Sequence, residues 1–198
     1  MKAGQRFARF VTDVVVRKPF LWRVFRAPLR RTFDRLAPVW DEMRMPEAFA
    51  PVEAALAALP EQPRNVLDLG TGTGSVAQVV AERFPEAQVT GVDVSAKMID
   101  VARAKGTRVR FEVADAERLP YDDDVFDLVT LGNMIPFFDE LARVTATDGY
   151  VLFAFSGGDQ TPIYVPSERL RAELASRGFA DFADFSAGRG TAFLARKR

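Results

Sequence analysis

The segment VLDLGTGTGSVA (residues 66–77) limits what this chain can fold into more than any other. An apolar run ends at Leu69, glycines alternate at Gly70, Gly72 and Gly74, and a helical stretch begins at about Ser75. Glycine suits such a turn because the backbone must bend sharply and let a ligand approach where a β-carbon would collide. A buried strand that turns directly into a helix belongs to an α/β sheet, whose ligands bind at the carboxyl ends of the strands. The following residues repeat the alternation. NVLDL (65–69), QVTGVD (88–93), RVRFEV (108–113), FDLVTL (126–131), YVLFAF (150–155) and a closing pair near 179–185 and 191–196 read as strands. Ser75 to Phe84, Ser95 (as N-cap) through Ala104, Phe137 to Ala146 and Ser167 to Arg177 read as helices. The expected fold is α/β: a doubly wound, mainly parallel seven-stranded sheet covered on both faces. SAGRG is short enough to close the last two strands into an antiparallel hairpin.

The residues before this body have a different character. Proline and charge divide the chain into a basic, aromatic leader (1–36), a helical connection (37–59) and, after the hinge PEQP (60–63), the β/α body. The expected division is therefore 1–59, leader and lid, and 60–198, ligand-binding domain. Residues 1–35 hold ten Lys and Arg against Asp13 and Asp34, a net +8, and residues 36–198 carry −8. Phe7, Phe10, Val11, Val14 and Val15 follow a helical apolar spacing, with Arg6, Arg9, Asp13 and Arg17 on the other side. Pro19 and Pro28 are expected to break the leader into two or three short helices.

Composition removes several chemistries. Without cysteine there is no disulfide scaffold and no thiolate nucleophile or ligand. Without histidine there is no imidazole base or metal ligand, and no metal is expected. Uncharged runs such as LVTLGNMIPFF (128–138) are far shorter than the ~20 residues that span a bilayer. The first apolar run is broken by Asp13 and no small-residue cleavage pattern follows, so a cytoplasmic protein is expected.

Carboxylates accompany the glycine loop in order. Asp68 lies just before it, Asp93 ends the second strand, and Asp115 follows the third. A carboxylate at the end of the second strand can accept both hydroxyls of a ribose. Asp115 can accept a hydrogen bond from the exocyclic amine of a base. Both also suit simple helix capping.

These segments resemble class I S-adenosylmethionine-dependent methyltransferases. VLDLGTGTG resembles the family's first motif, GVDVSAKMIDVAR (91–103) its second and FEVADAERLPYDDDVFDLV (111–129) its third. RVTATDG (143–149) resembles the later turn, without its proline and double glycine. The resemblance covers roughly 64–198 and implies a Rossmann-like methyltransferase fold with an N-terminal helical extension. It also implies S-adenosylmethionine as cofactor and S-adenosylhomocysteine as product. Gly70, Thr71, Gly72 and Gly74 would pass under the methionine part, and Asp68 would fix its amino group. Asp93, followed by Val94, would hold the ribose, and Asp115 with Ala116 would read the adenine. Met98 would pack on the adenine face, a position that equally suits plain core. Asn133 would stand near the transferring methyl, although the loop it begins is shorter than the family's usual one.

The acceptor is less legible. With no histidine, a base would have to be Asp, Glu, Tyr or Lys. Tyr121, Asp139 and Tyr164 are candidates that nothing separates, so a small acceptor that ionises easily suits the inventory best. TFDRLAPVWDEM (32–43) resembles the stretch before the first motif in ubiquinone/menaquinone C-methyltransferase-like proteins, with Trp40 in place of a tyrosine. By that resemblance Phe33, Trp40 and Met43 form a lid on an apolar, lipid-like acceptor such as a quinone precursor or phenol; they equally suit packing of a helix onto the sheet. Residues 1–31 interleave aromatics with arginines and are expected to contact an anionic membrane, the acidic body or a second subunit. A peripheral membrane location follows from the first of these. Nucleic acid is not an expected partner. Two alternatives remain: a non-catalytic ligand-binding protein on the same fold, and an NAD-dependent oxidoreductase. The latter suits Asp93 but not the loop, which reads GTGTG rather than G-x-G-x-x-G.

Overall fold

The computed structural model describes residues 3–43 and 47–198. Residues 1–2 of the leader and 44–46 of the connection lie outside the described residues. The elements run α1 (Ala3–Arg17), α2 (Trp22–Leu36), α3 (Ala50–Ala57), β1 (Asn65–Leu69), α4 (Ser75–Arg83), β2 (Gln88–Asp93) and α5 (Ala96–Ala104). They continue with β3 (Arg110–Val113), β4 (Phe126–Gly132), α6 (Phe138–Val144), β5 (Thr145–Phe155), α7 (Ser167–Ala175), β6 (Phe179–Ala187) and β7 (Gly190–Lys197).

The strands form one sheet of order β3-β2-β1-β4-β5-β7-β6. β1 to β5 pair in parallel, and β7 pairs antiparallel with both β5 and β6. The chain builds outward from β1 to β3, then returns to β4 on the other side of β1. Adjacent crossovers therefore diverge at β1 and β4 and leave a crevice at their carboxyl ends. Successive residues of the central strands serve opposite faces, as the period of two requires. Leu67, Val129 and Phe153 pack with α1, α6 and α7. Val66, Leu128 and Leu152 pack with α3, α4 and α5.

Three sequence expectations are corrected. Pro28 does not break the leader: α2 runs through it to Leu36. Losing one N–H costs a helix about 3 kcal/mol. The inward stripe of Trp22, Phe25 and Leu29, at helical spacing, offsets it by packing on the body, and Phe33 and Leu36 continue the stripe along the main cavity. In α1 the buried face is turned from the expected one. Val11, Thr12, Val15 and Val16 are buried, whereas Phe7 and Phe10 are exposed. Thr12 tolerates burial because its hydroxyl donates to the Ala8 carbonyl at 2.9 Å. Finally, α6 ends at Val144, and residues 145–149 join β5 through a bulge. Thr145 pairs with Phe126, but the next pair is Leu128 with Tyr150. Gly149 is required there, since a β-carbon would lie 2.8 Å from the Ala146 carbonyl oxygen.

Candidate functional site

The glycine loop joins β1 to α4, and its three glycines serve different ends. Gly70, Gly72 and Gly74 all have left-handed backbone, with φ of 69°, 55° and 84°. A β-carbon on Gly74 would lie 2.5 Å from the Phe111 ring of β3, so this glycine lets α4 start against the sheet. Gly70 is covered by Met134 from the loop after β4. At Gly72 the nearest atom would be Trp40 Nε1 at 3.5 Å, so its surface stays open beneath the leader. Gly70, Thr71 and Gly72 border the main cavity; Gly74 does not.

Asp68 is buried at the end of β1. One carboxylate oxygen accepts from the Thr71 hydroxyl (2.6 Å) and the Ala77 N–H (3.1 Å), and the other from the Thr130 hydroxyl (2.7 Å). Burial pushes its pKa up to about 6 despite these three donors. Asp93 closes β2. It accepts from the Ser95 N–H at 2.8 Å and the Gly72 N–H at 3.0 Å, and burial raises its pKa above the ordinary carboxylate value. With about four acceptor sites, the Asp93 carboxylate keeps capacity for a further hydrogen bond. The adjoining Val94, Met98 and Ala116 line the same cavity, and Met98 is fully buried core as well.

Asp115 is placed differently from the expectation. Its Oδ1 accepts from the Trp22 indole N–H (2.8 Å) and the Glu117 N–H (3.1 Å), and its Oδ2 pairs with Arg26 (2.5 Å). It is absent from the cavity lining, to which Ala114 and Ala116 contribute. The leader thus occupies the carboxylate that the sequence offered to a base.

Above the crevice, α2 and the turns at Ala37–Val39 and Asp41–Met43 form a roof. Phe33 and Trp40 meet edge to face at 5.7 Å, and both line the cavity with Met43. Two acids of the TFDRLAPVWDEM segment fasten this roof. Asp34 accepts from the Ser95 hydroxyl at 2.6 Å, the same hydroxyl that caps α5 through the Met98 N–H. Asp41 accepts from the Thr73 hydroxyl at 2.6 Å and pairs with Lys105 at 2.7 Å. Sequence reasoning missed Trp22, Arg26 and these two fastening acids. Asp34 and Asp41 lay inside a recognised segment, but nothing local named their partners.

The cavity measures about 590 Å³, within the size of small-molecule sites. Among the described residues its lining includes no Lys, Arg, Glu or Tyr. Asn133 lies at the rim with φ of 51°, its amide bonded to Ser156 through both its oxygen and its nitrogen. The other base candidates lie elsewhere. Tyr121 donates to Glu112 at 2.8 Å, and burial together with that carboxylate raises its pKa. Asp139 is exposed and paired with Arg177. Tyr164 packs on Phe155.

Residues 66–149 match the family described as a methyltransferase domain. A demethylmenaquinone methyltransferase of Thermus thermophilus is 39% identical over 133 residues, covering 59% of this chain and 60% of that protein. A malonyl-[acyl-carrier protein] O-methyltransferase of Geobacter sulfurreducens is 32% identical over 194 residues, covering 78% of this chain and 70% of that one. The crystal structure of an S-adenosylmethionine-dependent methyltransferase from Aquifex aeolicus has the same fold. Its TM-score is 0.66 at 17% identity, covering 79% of this chain and 95% of that one. Several relatives are longer: the chain spans 34% to 60% of three of them. With the motif loop, the carboxylate-ended strands and these likenesses together, the chain belongs to the class I S-adenosylmethionine-dependent methyltransferase family.

Proposed function

We propose that the protein transfers a methyl group from S-adenosylmethionine to a small, apolar acceptor that ionises without help, such as a phenolic or quinone-precursor ring. The carrying observation is the cavity: apolar walls, a glycine rim, and Asp68 and Asp93 as the only described ionisable side chains in its lining. One relative's name, demethylmenaquinone methyltransferase, supports a quinone-type acceptor.

The residues present fit the cofactor. Gly72 leaves a surface that a β-carbon would fill, and Asp93 keeps acceptor capacity for a ribose hydroxyl. Asp68 places a negative charge beneath Gly70 and Thr71, where an ammonium group would sit. Bound S-adenosylmethionine supplies an electrophilic sulfonium methyl. Phe33, Trp40 and Met43 would exclude water from it, and Asn133, fixed by Ser156, would hold a polar atom at the rim. Alignment of this kind is worth roughly 7–11 kcal/mol, enough to make positioning the main catalytic task. A cavity whose only described ionisable groups are these two ligand-holding acids also suits a non-catalytic binder.

Calorimetry with S-adenosylhomocysteine and a methyl-transfer screen over phenolic, quinone-precursor and fatty acceptors separate the outcomes. Micromolar binding with transfer to an ionisable ring is expected. Binding without transfer to any acceptor would favour the binder, and binding of NADH instead would overturn the assignment.

A further inference from the structure

We propose that the outer face of the leader docks on an anionic lipid surface. The inner faces of α1 and α2 are spent on the body: Val11, Val15 and Trp22 are buried, and Arg9 donates to the carbonyls of Asp159 and Thr161. The outer face is not. Phe7, Phe10, Phe20 and Val24 are 49–64% exposed, an expensive display for side chains this large. On the same helices, and on the link between them at Lys18, the cations Arg6, Arg17, Lys18, Arg30 and Arg31 are exposed and form no ion pair among the described residues. Large apolar groups between exposed cations match a bilayer interface, where rings enter the headgroup boundary and cations meet lipid phosphates.

Charge favours lipid over a second copy packed face to face. Two leaders, each at +8, would repel one another, whereas an anionic surface attracts each. Among the described residues no helix is long and apolar enough to cross a membrane, so the contact is superficial. The same two helices roof the cavity through Ala8, Val11, Trp22, Leu29 and Phe33. Docking would therefore set the cavity against the bilayer and give a lipid-like acceptor a short route to it. That last consequence rests on the proposed function; the docking does not.

The test is co-sedimentation of the full chain with phosphatidylglycerol/phosphatidylcholine vesicles, with phosphatidylcholine alone as control. A Phe7→Ser/Phe10→Ser/Phe20→Ser variant and an Arg30→Glu/Arg31→Glu variant run beside it. Binding to the anionic vesicles is expected at low salt, falling at about 0.5 M salt, where the screening length shrinks to a few ångströms. Each variant should lose at least about tenfold in vesicle affinity. Both should keep wild-type affinity for S-adenosylhomocysteine, since none of these side chains lines the cavity. No pelleting with anionic vesicles, unchanged pelleting of the triple-serine variant, or a dimer that this variant dissolves would each overturn the proposal. Loss of S-adenosylhomocysteine binding in the wild type would instead count against the methyltransferase function and leave the vesicle result standing.

Discussion

Trp22 donates its indole N–H to the Asp115 carboxylate at 2.8 Å, joining residues 93 positions apart in the chain. Arg26, one helical turn on, pairs with the same carboxylate, and the Trp22 ring meets Phe137 edge to face at 5.5 Å. One leader helix is thus fastened to the end of the third strand's motif by a hydrogen bond, an ion pair and an aromatic contact.

Trp22→Phe keeps most of the ring and removes only the donor, while Asp115 retains Arg26 and the Glu117 N–H. A hydrogen bond to a charged group contributes about 1.5–3 kcal/mol, so denaturant unfolding should shift by that order. Proteolysis at the Pro19–Leu21 turn should also quicken. Equal stability and unchanged proteolysis would show that packing alone holds the leader.

Asp93→Ala removes the acceptor expected to meet the ribose. Calorimetry should show S-adenosylhomocysteine binding at least about tenfold weaker, the scale of one charged hydrogen bond. Its circular dichroism should remain that of the wild type. Unaltered affinity would mean that the nucleoside lies elsewhere.

Asp68 should make binding depend on pH. Its pKa is raised to about 6, so the carboxylate is ionised above that pH and neutral below it. The proton therefore favours the folded free protein: Asp68's contribution to stability is lost as pH rises from about 4 to about 6 and is constant above. A cationic amino group needs the ionised form, so S-adenosylhomocysteine affinity should fall as pH drops through 6. The chain has no histidine that could produce the same step. Titration calorimetry between about pH 5 and 8 on wild type and Asp68→Asn reads it, and a step that persists in the variant would reassign it.

The glycines should separate stability from binding. Gly74→Ala drives a β-carbon into Phe111 and should lower stability by about 1–3 kcal/mol or more. Gly72→Ala meets nothing closer than 3.5 Å and bears only the left-handed backbone cost of roughly 1–2 kcal/mol. It should instead lose ligand affinity. Thermal melts and calorimetry on both variants check the contrast.

Much of the body was legible because its signals are local. NVLDL and QVTGVD are strands at the expected residues, since central parallel strands are continuous apolar runs bounded by turns. Ser95 caps α5 as its position before the helix implied. The α1 stripe was harder to read. Apolar spacing defines a sector of a helix but not which edge of it meets a neighbour, and here Thr12 and Val16 are inside while Phe7 and Phe10 are out. Pro28 looked like a break because its penalty is local, whereas the packing that offsets it comes from residues distant in sequence.

The alternating sheet, the glycine turn and the acids at the strand ends are written locally in the chain, because backbone conformation and short-range pattern set these. The packing of remote segments decided that Asp115 faces Trp22 and Arg26, and that Gly72 alone of the three glycines stays open towards Trp40. It likewise decided that Asp34 and Asp41 fasten the roof to Ser95, Thr73 and Lys105. A side chain's partner depends on which remote segment packs beside it, and that is fixed by the burial of the whole core rather than by its neighbours in the chain.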